Sequence, residues 1–233
     1  MFTLVIGNKN YSSWSLRSWL LLRALEIPFE ERLEAFTNHG SYEAFRSFSP
    51  TGRVPCLIDG DIAVWDSLAI AEYVAETYPQ VWPHDRAMRA FARSIAAEMH
   101  SGFMVLRNVC TMNCGLRVEL HDRPLNLEAE LRRINEIWKD GLQRFGGPFL
   151  AGERFSAADA FYAPVAFRLQ TYGISLSPDS DAYADRLRHL PAMKEWYHSA
   201  IMEEWREPDH EAEAVAAGRI VSDFRSRKPA SIS

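Results

Sequence analysis

Ser49-Pro50-Thr51-Gly52-Arg53-Val54-Pro55 opens the stretch that decides the fold, and it runs on through two apolar segments to Asp66-Ser67-Leu68-Ala69-Ile70-Ala71-Glu72-Tyr73. Proline, glycine and serine make the first seven residues a turn-rich connector. Cys56 to Ile58 and Ile62 to Trp65 are short apolar runs joined by Asp59-Gly60-Asp61, the composition of a tight hairpin. Ser67 to Tyr78 then carries Leu68, Ile70, Ala71, Val74 and Tyr78 at helical spacing, which predicts an amphipathic helix started by Asp66 and Ser67.

Working outward toward the N-terminus, Phe2 to Ile6 reads as a buried strand that the polar segment Gly7 to Tyr11 ends. Ser12 and Ser13 offer capping oxygens to a Leu-rich helix over Trp14 to Leu25, and Ile27-Pro28 stops it. Phe29 to Leu33 is a second strand and Tyr42 to Phe48 a short helix. The order is β-α-β-α-β-β-α, helices against a small mixed sheet.

In the other direction, Pro79-Gln80-Val81-Trp82-Pro83 suits a linker, and beyond Arg86 no strand is predicted. Helices are expected over residues 87–108, 127–145, 158–172, 182–188 and 191–204. The shift from mixed to helical composition divides the chain into an α/β unit over 1–80, an all-α unit over 87–206 and a polar tail over 207–233. Within that tail residues 211–217 form a loose helix before a frayed end.

The 26 basic residues against 31 acidic ones leave a net charge of −5, which gives no bulk reason to seek nucleic acid or an anionic membrane. The apolar run Trp19 to Leu22 is too short to span a bilayer, and Asn8, Lys9 and Asn10 break any signal-peptide pattern. Three cysteines with no CxxC pair argue against a disulfide framework or a zinc site and favour a reducing compartment, with the cytoplasm as the expectation.

Three places in the first half share one chemical task. Tyr11-Ser12-Ser13-Trp14-Ser15 sits at a strand-to-helix junction, where free N–H groups and a hydroxyl can stabilise a thiolate. Arg53-Val54-Pro55 enters a strand at a proline; a cis bond there would turn the Val54 backbone toward an extended peptide-like ligand. Asp66-Ser67 at a helix start can take an ammonium group on the carboxylate and a carboxylate on the hydroxyl and helix amides. Singly, each is also an ordinary cap or turn.

In register, the three motifs resemble the glutathione-binding half of cytosolic glutathione transferases. The second half is similar to the same family: Phe149-Leu150-Ala151-Gly152 leads into Phe155-Ser156-Ala157-Ala158-Asp159, the pattern of its capping box and hydrophobic staple. The resemblance runs to about Glu204. It implies a thioredoxin-like N-terminal domain binding glutathione as cosubstrate and a helical domain shaping a pocket for a small hydrophobic electrophile. The start resembles the serine-type zeta, theta and tau classes, and spacing back from Ile27 puts their catalytic position on Ser12, with Ser13, Ser15 and Tyr11 as alternatives. The chain departs from the pattern at Trp14, where the zeta class has cysteine, and at Asp66, where many members have Glu. The resemblance implies that Ser13, His39, Arg53, Val54, Pro55, Asp66 and Ser67 hold glutathione, with no metal involved. Met99, His100, Phe103, Met104, Arg107, Asn108 and Met112 are candidates for the acceptor pocket. It further implies a homodimer, with residues 87–108 along the seam and Glu98 or His100 reaching toward the partner. The activity implied is conjugation, with zeta-like cis–trans isomerisation or a non-catalytic binding role as alternatives.

Overall fold

Leu4, Val5 and Ile6 have no exposed surface, as expected of a central strand covered on both faces. They belong to β1 (Phe2–Ile6), which pairs in parallel with β2 (Phe29–Leu33) and antiparallel with β3 (Cys56–Asp59). β4 (Ile62–Trp65) completes the hairpin, and the sheet order is β2-β1-β3-β4. A parallel pair needs a crossover, which α1 (Ser13–Ala24) supplies. Leu16, Trp19 and Leu20 of α1 pack with Ile70, Ala71 and Val74 of α3 (Ser67–Thr77) in the core; burial of each leucine, isoleucine or valine here is worth roughly 2 kcal/mol. Between β2 and β3 lies the short α2 (Tyr42–Phe45). The computed structural model describes residues 1–36 and 41–225.

After a single 3₁₀ turn at Pro79–Val81, Asp85 caps α4 (Arg86–Ser101) by accepting from the N–H groups of Ala87 and Met88. The single helix expected over 87–108 is two. Gly102 is extended and Phe103 is left-handed, and Arg107 folds back onto the carbonyls of Met99 and Gly102, so α5 (Met104–Val109) starts in a new direction. α6 (Leu125–Phe145), α7 (Ala157–Thr171), α8 (Pro178–His189) and α9 (Pro191–Met202) follow. α7 is buried almost throughout, because its small side chains let α1, α4 and α8 approach. The capping box at its start is formed: the Ser156 N–H donates to Asp159 Oδ2 at 2.9 Å. Leu150 N–H and the Tyr183 hydroxyl satisfy Oδ1, and Phe155 packs against the ring of Phe149.

Two expectations for the second half are corrected. β5 (Leu116–Leu120) is a strand beyond Arg86, and the tail is not frayed over its described part: α10 (Pro208–Ala217) leads into β6 (Gly218–Asp223), which pairs antiparallel with β5. Leu116 and Val118 alternate with polar residues, a five-residue signal whose partner stands about a hundred residues away, so no local pattern announces it. The helical half therefore carries one two-stranded ribbon.

Candidate functional site

The loop between β1 and α1 is polar yet buried, and the second half of the chain holds it in place. Lys9 N–H and Asn10 N–H donate to the two carboxylate oxygens of Glu203 at 2.7 and 3.2 Å. Asn10 also donates to Asn113 and accepts from Gly115 N–H, and the Trp196 indole donates to Lys9 O at 2.9 Å. This fixes where α1 begins. There the Ser12 hydroxyl donates to Ser15 Oγ at 2.7 Å and accepts from Ser15 N–H, so Ser12 is the cap; Ser15 Oγ in turn accepts from Gly7 N–H. The Ser13 hydroxyl accepts from the Arg168 guanidinium at 3.3 Å. Tyr11 is occupied elsewhere: it donates to Glu211 at 2.7 Å, and burial with that acid raises its phenol far above the usual range.

Across the cleft, the Val54–Pro55 bond is cis, and neither the N–H nor the carbonyl of Val54 has a partner among the described residues. Gly52 turns the chain into this segment at φ +61, with the Tyr42 ring against it. Asp66 caps α3 by accepting from Leu68 N–H at 2.8 Å, while its own backbone sits at φ 77. A non-glycine residue held there costs on the order of 1–3 kcal/mol, the kind of strain that gathers at ligand clamps. The Ser67 hydroxyl is buried without a partner among the described residues. His100, from α4, brings Nε2 to 3.4 Å from Asp66 Oδ2, and its Nδ1 has no partner among the described residues. Burial lowers the His100 pKa; Asp66 pulls it up, and Arg17 and Arg107 push it down.

Two adjoining cavities join these groups. One, of about 640 Å³, is lined by Arg53, Val54, Pro55, Asp66, Ser67 and His100. The other, of about 760 Å³, is lined by Ser12, Ser13, Arg107, Asn108, Met112 and Arg168 on one side. Trp14, Tyr42, Arg53 and Val54 border both. Trp14 is clasped between the guanidinium groups of Arg17 and Arg107, at 4.3 and 4.7 Å from its ring centre. The remaining wall of the larger cavity comes from the tail, through Glu207, Asp209, His210 and Glu213. His210 stacks on Phe36 and lies against Tyr11, and Arg225 pairs with Glu211 and Asp223.

The expected site residues thus converge: Ser12, Ser13, Arg53, Val54, Pro55, Asp66 and Ser67 all face this cleft, whereas His39 lies outside the described residues. Of the acceptor candidates, Arg107, Asn108 and Met112 line the larger cavity and His100 the smaller; Met99 and Phe103 are core, and Met104 is exposed. Sequence reasoning missed Arg17, Arg168 and the tail. Arg168 carried a signal, being the one charge over the C-terminal half of a helix that is otherwise apolar there apart from Gln170 and Thr171. Among the described residues no cluster of His, Cys, Asp and Glu could hold a metal ion.

A small mixed sheet whose third strand starts after a cis proline, with an acid–serine pair at one helix start and serines at another around one cleft, is a thioredoxin-like arrangement. The chain belongs to the cytosolic glutathione S-transferase family. Residues 11–77 match the glutathione S-transferase N-terminal domain and residues 119–199 its C-terminal domain. Maleylacetoacetate isomerase of Rattus norvegicus is 30% identical over 172 residues, covering 71% of this chain and 77% of the relative. A probable maleylacetoacetate isomerase of Vibrio cholerae is 27% identical over 203 residues, covering 82% and 94%. Among solved structures, a glutathione transferase homolog from Burkholderia with bound glutathione superposes with a TM-score of 0.65 at 24% identity, covering 85% of this chain and 97% of that one. The chain is accordingly a glutathione-dependent enzyme with glutathione as cosubstrate.

Proposed function

We propose that the enzyme conjugates the glutathione thiolate to a small electrophile. In this reading the smaller cavity takes the amino-acid head of glutathione on Asp66 and Ser67 and its peptide backbone on Val54, with Arg53 and Pro55 beside it. The sulfur then falls at the start of α1, where helix N–H groups and the serine hydroxyls stabilise its charge. The nucleophile belongs to the cosubstrate; the protein lowers its pKa and orients it toward an acceptor in the larger cavity. The observation that carries the reading is the adjacency of the two cavities, which share Val54 and Trp14 between the Asp66–Ser67 pair and the serines of α1.

A specific feature supports a second reading, the addition–elimination isomerisation implied by the relatives named maleylacetoacetate isomerase. Arg107 and Arg168 line the acceptor cavity, and an acceptor bearing a carboxylate suits them better than a neutral hydrophobic one. A panel of aryl halides, haloacids and cis-enoic acids offered to purified protein separates the two. Conjugation consumes glutathione and adds its mass to the product; isomerisation does neither, and no turnover on any of them leaves a binding role.

A two-fold dimer is the assembly the family resemblance implies. Glu98 pairs with Arg133 and His100 faces Asp66 within the same chain, which supports a site complete in each subunit. One glutathione bound per chain, with a sedimenting mass near twice 26.6 kDa, is the expected result.

A further inference from the structure

We propose that Arg168 is a positioning residue of the thiolate step: its guanidinium, delivered from α7 to the hydroxyl of Ser13, orients the first turn of α1 and sets fixed positive charge beside the glutathione sulfur. The proposal rests on the reading above that the sulfur lies at the start of α1. Arg168 is 5% exposed, lines the larger cavity and reaches across 155 residues of sequence to Ser13 Oγ at 3.3 Å. Its Nη1 donates to the carbonyls of Cys110 and Arg107, and among the described residues no carboxylate forms an ion pair with it. Buried guanidinium groups are normally neutralised by an acid, because an unpaired buried charge is costly. Glu213 lines the same cavity and acts on the guanidinium only through space, without closing an ion pair, so an anionic sulfur at the start of α1 would find a buried cation that no acid contacts directly.

The hydrogen bonds divide the serines between two tasks. The Ser12 proton is committed to Ser15 Oγ and its oxygen to Ser15 N–H. Ser13 accepts from a cation and donates to nothing among the described residues, so its proton is free and its O–H bond polarised toward donation. Ser12 therefore holds the helix end at which the sulfur sits, and Ser13, aimed by Arg168, offers its free hydroxyl proton to that anion. The charged and titratable groups facing Arg168 are Arg107 and Cys110 from α5 and its end, Tyr172 on its own helix, Glu213 from α10, and Arg17 from α1. Burial, with Arg107, lowers the Arg168 pKa to about 10, so it remains a cation at neutral pH.

Enzyme-bound glutathione thiolate is followed by its ultraviolet absorbance against pH in Arg168→Met, Arg168→Lys and Ser13→Ala. Arg168→Met is expected to raise the bound thiol pKa by roughly one unit or more and to slow turnover at neutral pH about tenfold, with glutathione affinity within a few-fold of wild type. Arg168→Lys keeps the charge without the planar fork and is expected to recover only part of that shift. Ser13→Ala is expected to raise the thiol pKa by a smaller amount and to add little on top of Arg168→Met. An unchanged thiol pKa in folded Arg168→Met overturns the proposal. If that variant does not fold, Ser13→Ala decides, because it breaks the contact at the far end without leaving a cavity in the core; a thiol pKa equal to wild type overturns the proposal there too. Wild-type protein that binds glutathione but leaves its thiol protonated overturns both this proposal and the reading beneath it.

Discussion

Asp66 spends backbone strain to hold a carboxylate at the mouth of the cleft, capping α3 with one oxygen and facing His100 with the other. A charged hydrogen bond of this kind is worth about 1.5–3 kcal/mol, so Asp66→Asn is expected to weaken glutathione binding roughly ten- to hundredfold. The bound thiol pKa should stay where it is, since the change touches the amino-acid head and not the sulfur; calorimetry beside the thiolate titration checks both, and unchanged affinity contradicts the assignment. His100 offers a pH-dependent test. Its pKa is lowered by burial, with Arg17 and Arg107 adding to the effect against Asp66. The folded chain therefore resists a proton that the unfolded chain accepts near pH 6.5, and stability is full above that value and falls as pH drops below it. Urea midpoints between pH 5 and 8 should show this slope, flattened in His100→Gln; an equal slope in both proteins would exclude His100 as its source. At this scale the sequence was legible wherever a residue's task is local. Asp66, Ser67 and Ser12 stand at helix starts and announce themselves as caps, whereas Arg17 and Arg168 act through partners distant in the chain and carry no such mark.

At the scale of elements, the strands and helices of the first half follow their apolar periods closely, because each is specified by its own neighbours. The ribbon of β5 and β6 was illegible for the opposite reason: each strand is stable only against the other, and a tail rich in Glu, Ala and Arg looks solvated when read alone. Beside the ladder with β5 and the ring contacts of His210, one buried junction ties the tail to the first half. Glu211 accepts from Tyr11, Asn113 and Arg225, and Arg225 is further clasped by Asp223. Glu211→Ala removes the shared acceptor and strands three buried donors, at a cost of about 2–3 kcal/mol. That is enough to free α10 from the cleft while the core, centred on α7, remains folded. The expected outcome is faster proteolytic cleavage within residues 207–225 and a higher KM for the acceptor, with the main melting transition little changed. Cleavage no faster than in wild type would show that the tail is held by other contacts.

At the scale of the whole molecule, the two halves divide one reaction: the first presents a peptide-binding edge and two helix starts, and the second fixes the loop that aims one of them. Glu203, Trp196, Asn113 and Gly115 all come from the second half and hold the segment from Lys9 to Asn10, so the position of the start of α1, where we propose the sulfur binds, depends on packing that spans the chain. This is why the fold could be read from motifs in register while the geometry of the site could not. The most direct test of the account is a pH titration of glutathione bound to the wild-type protein, with Ser12→Ala beside it. A thiol pKa at least one unit below the roughly 8.5 of a free thiol, rising in Ser12→Ala as the start of α1 loses its cap and turnover falls with it, is the predicted result. A bound thiol that titrates like the free one in wild-type protein would contradict it.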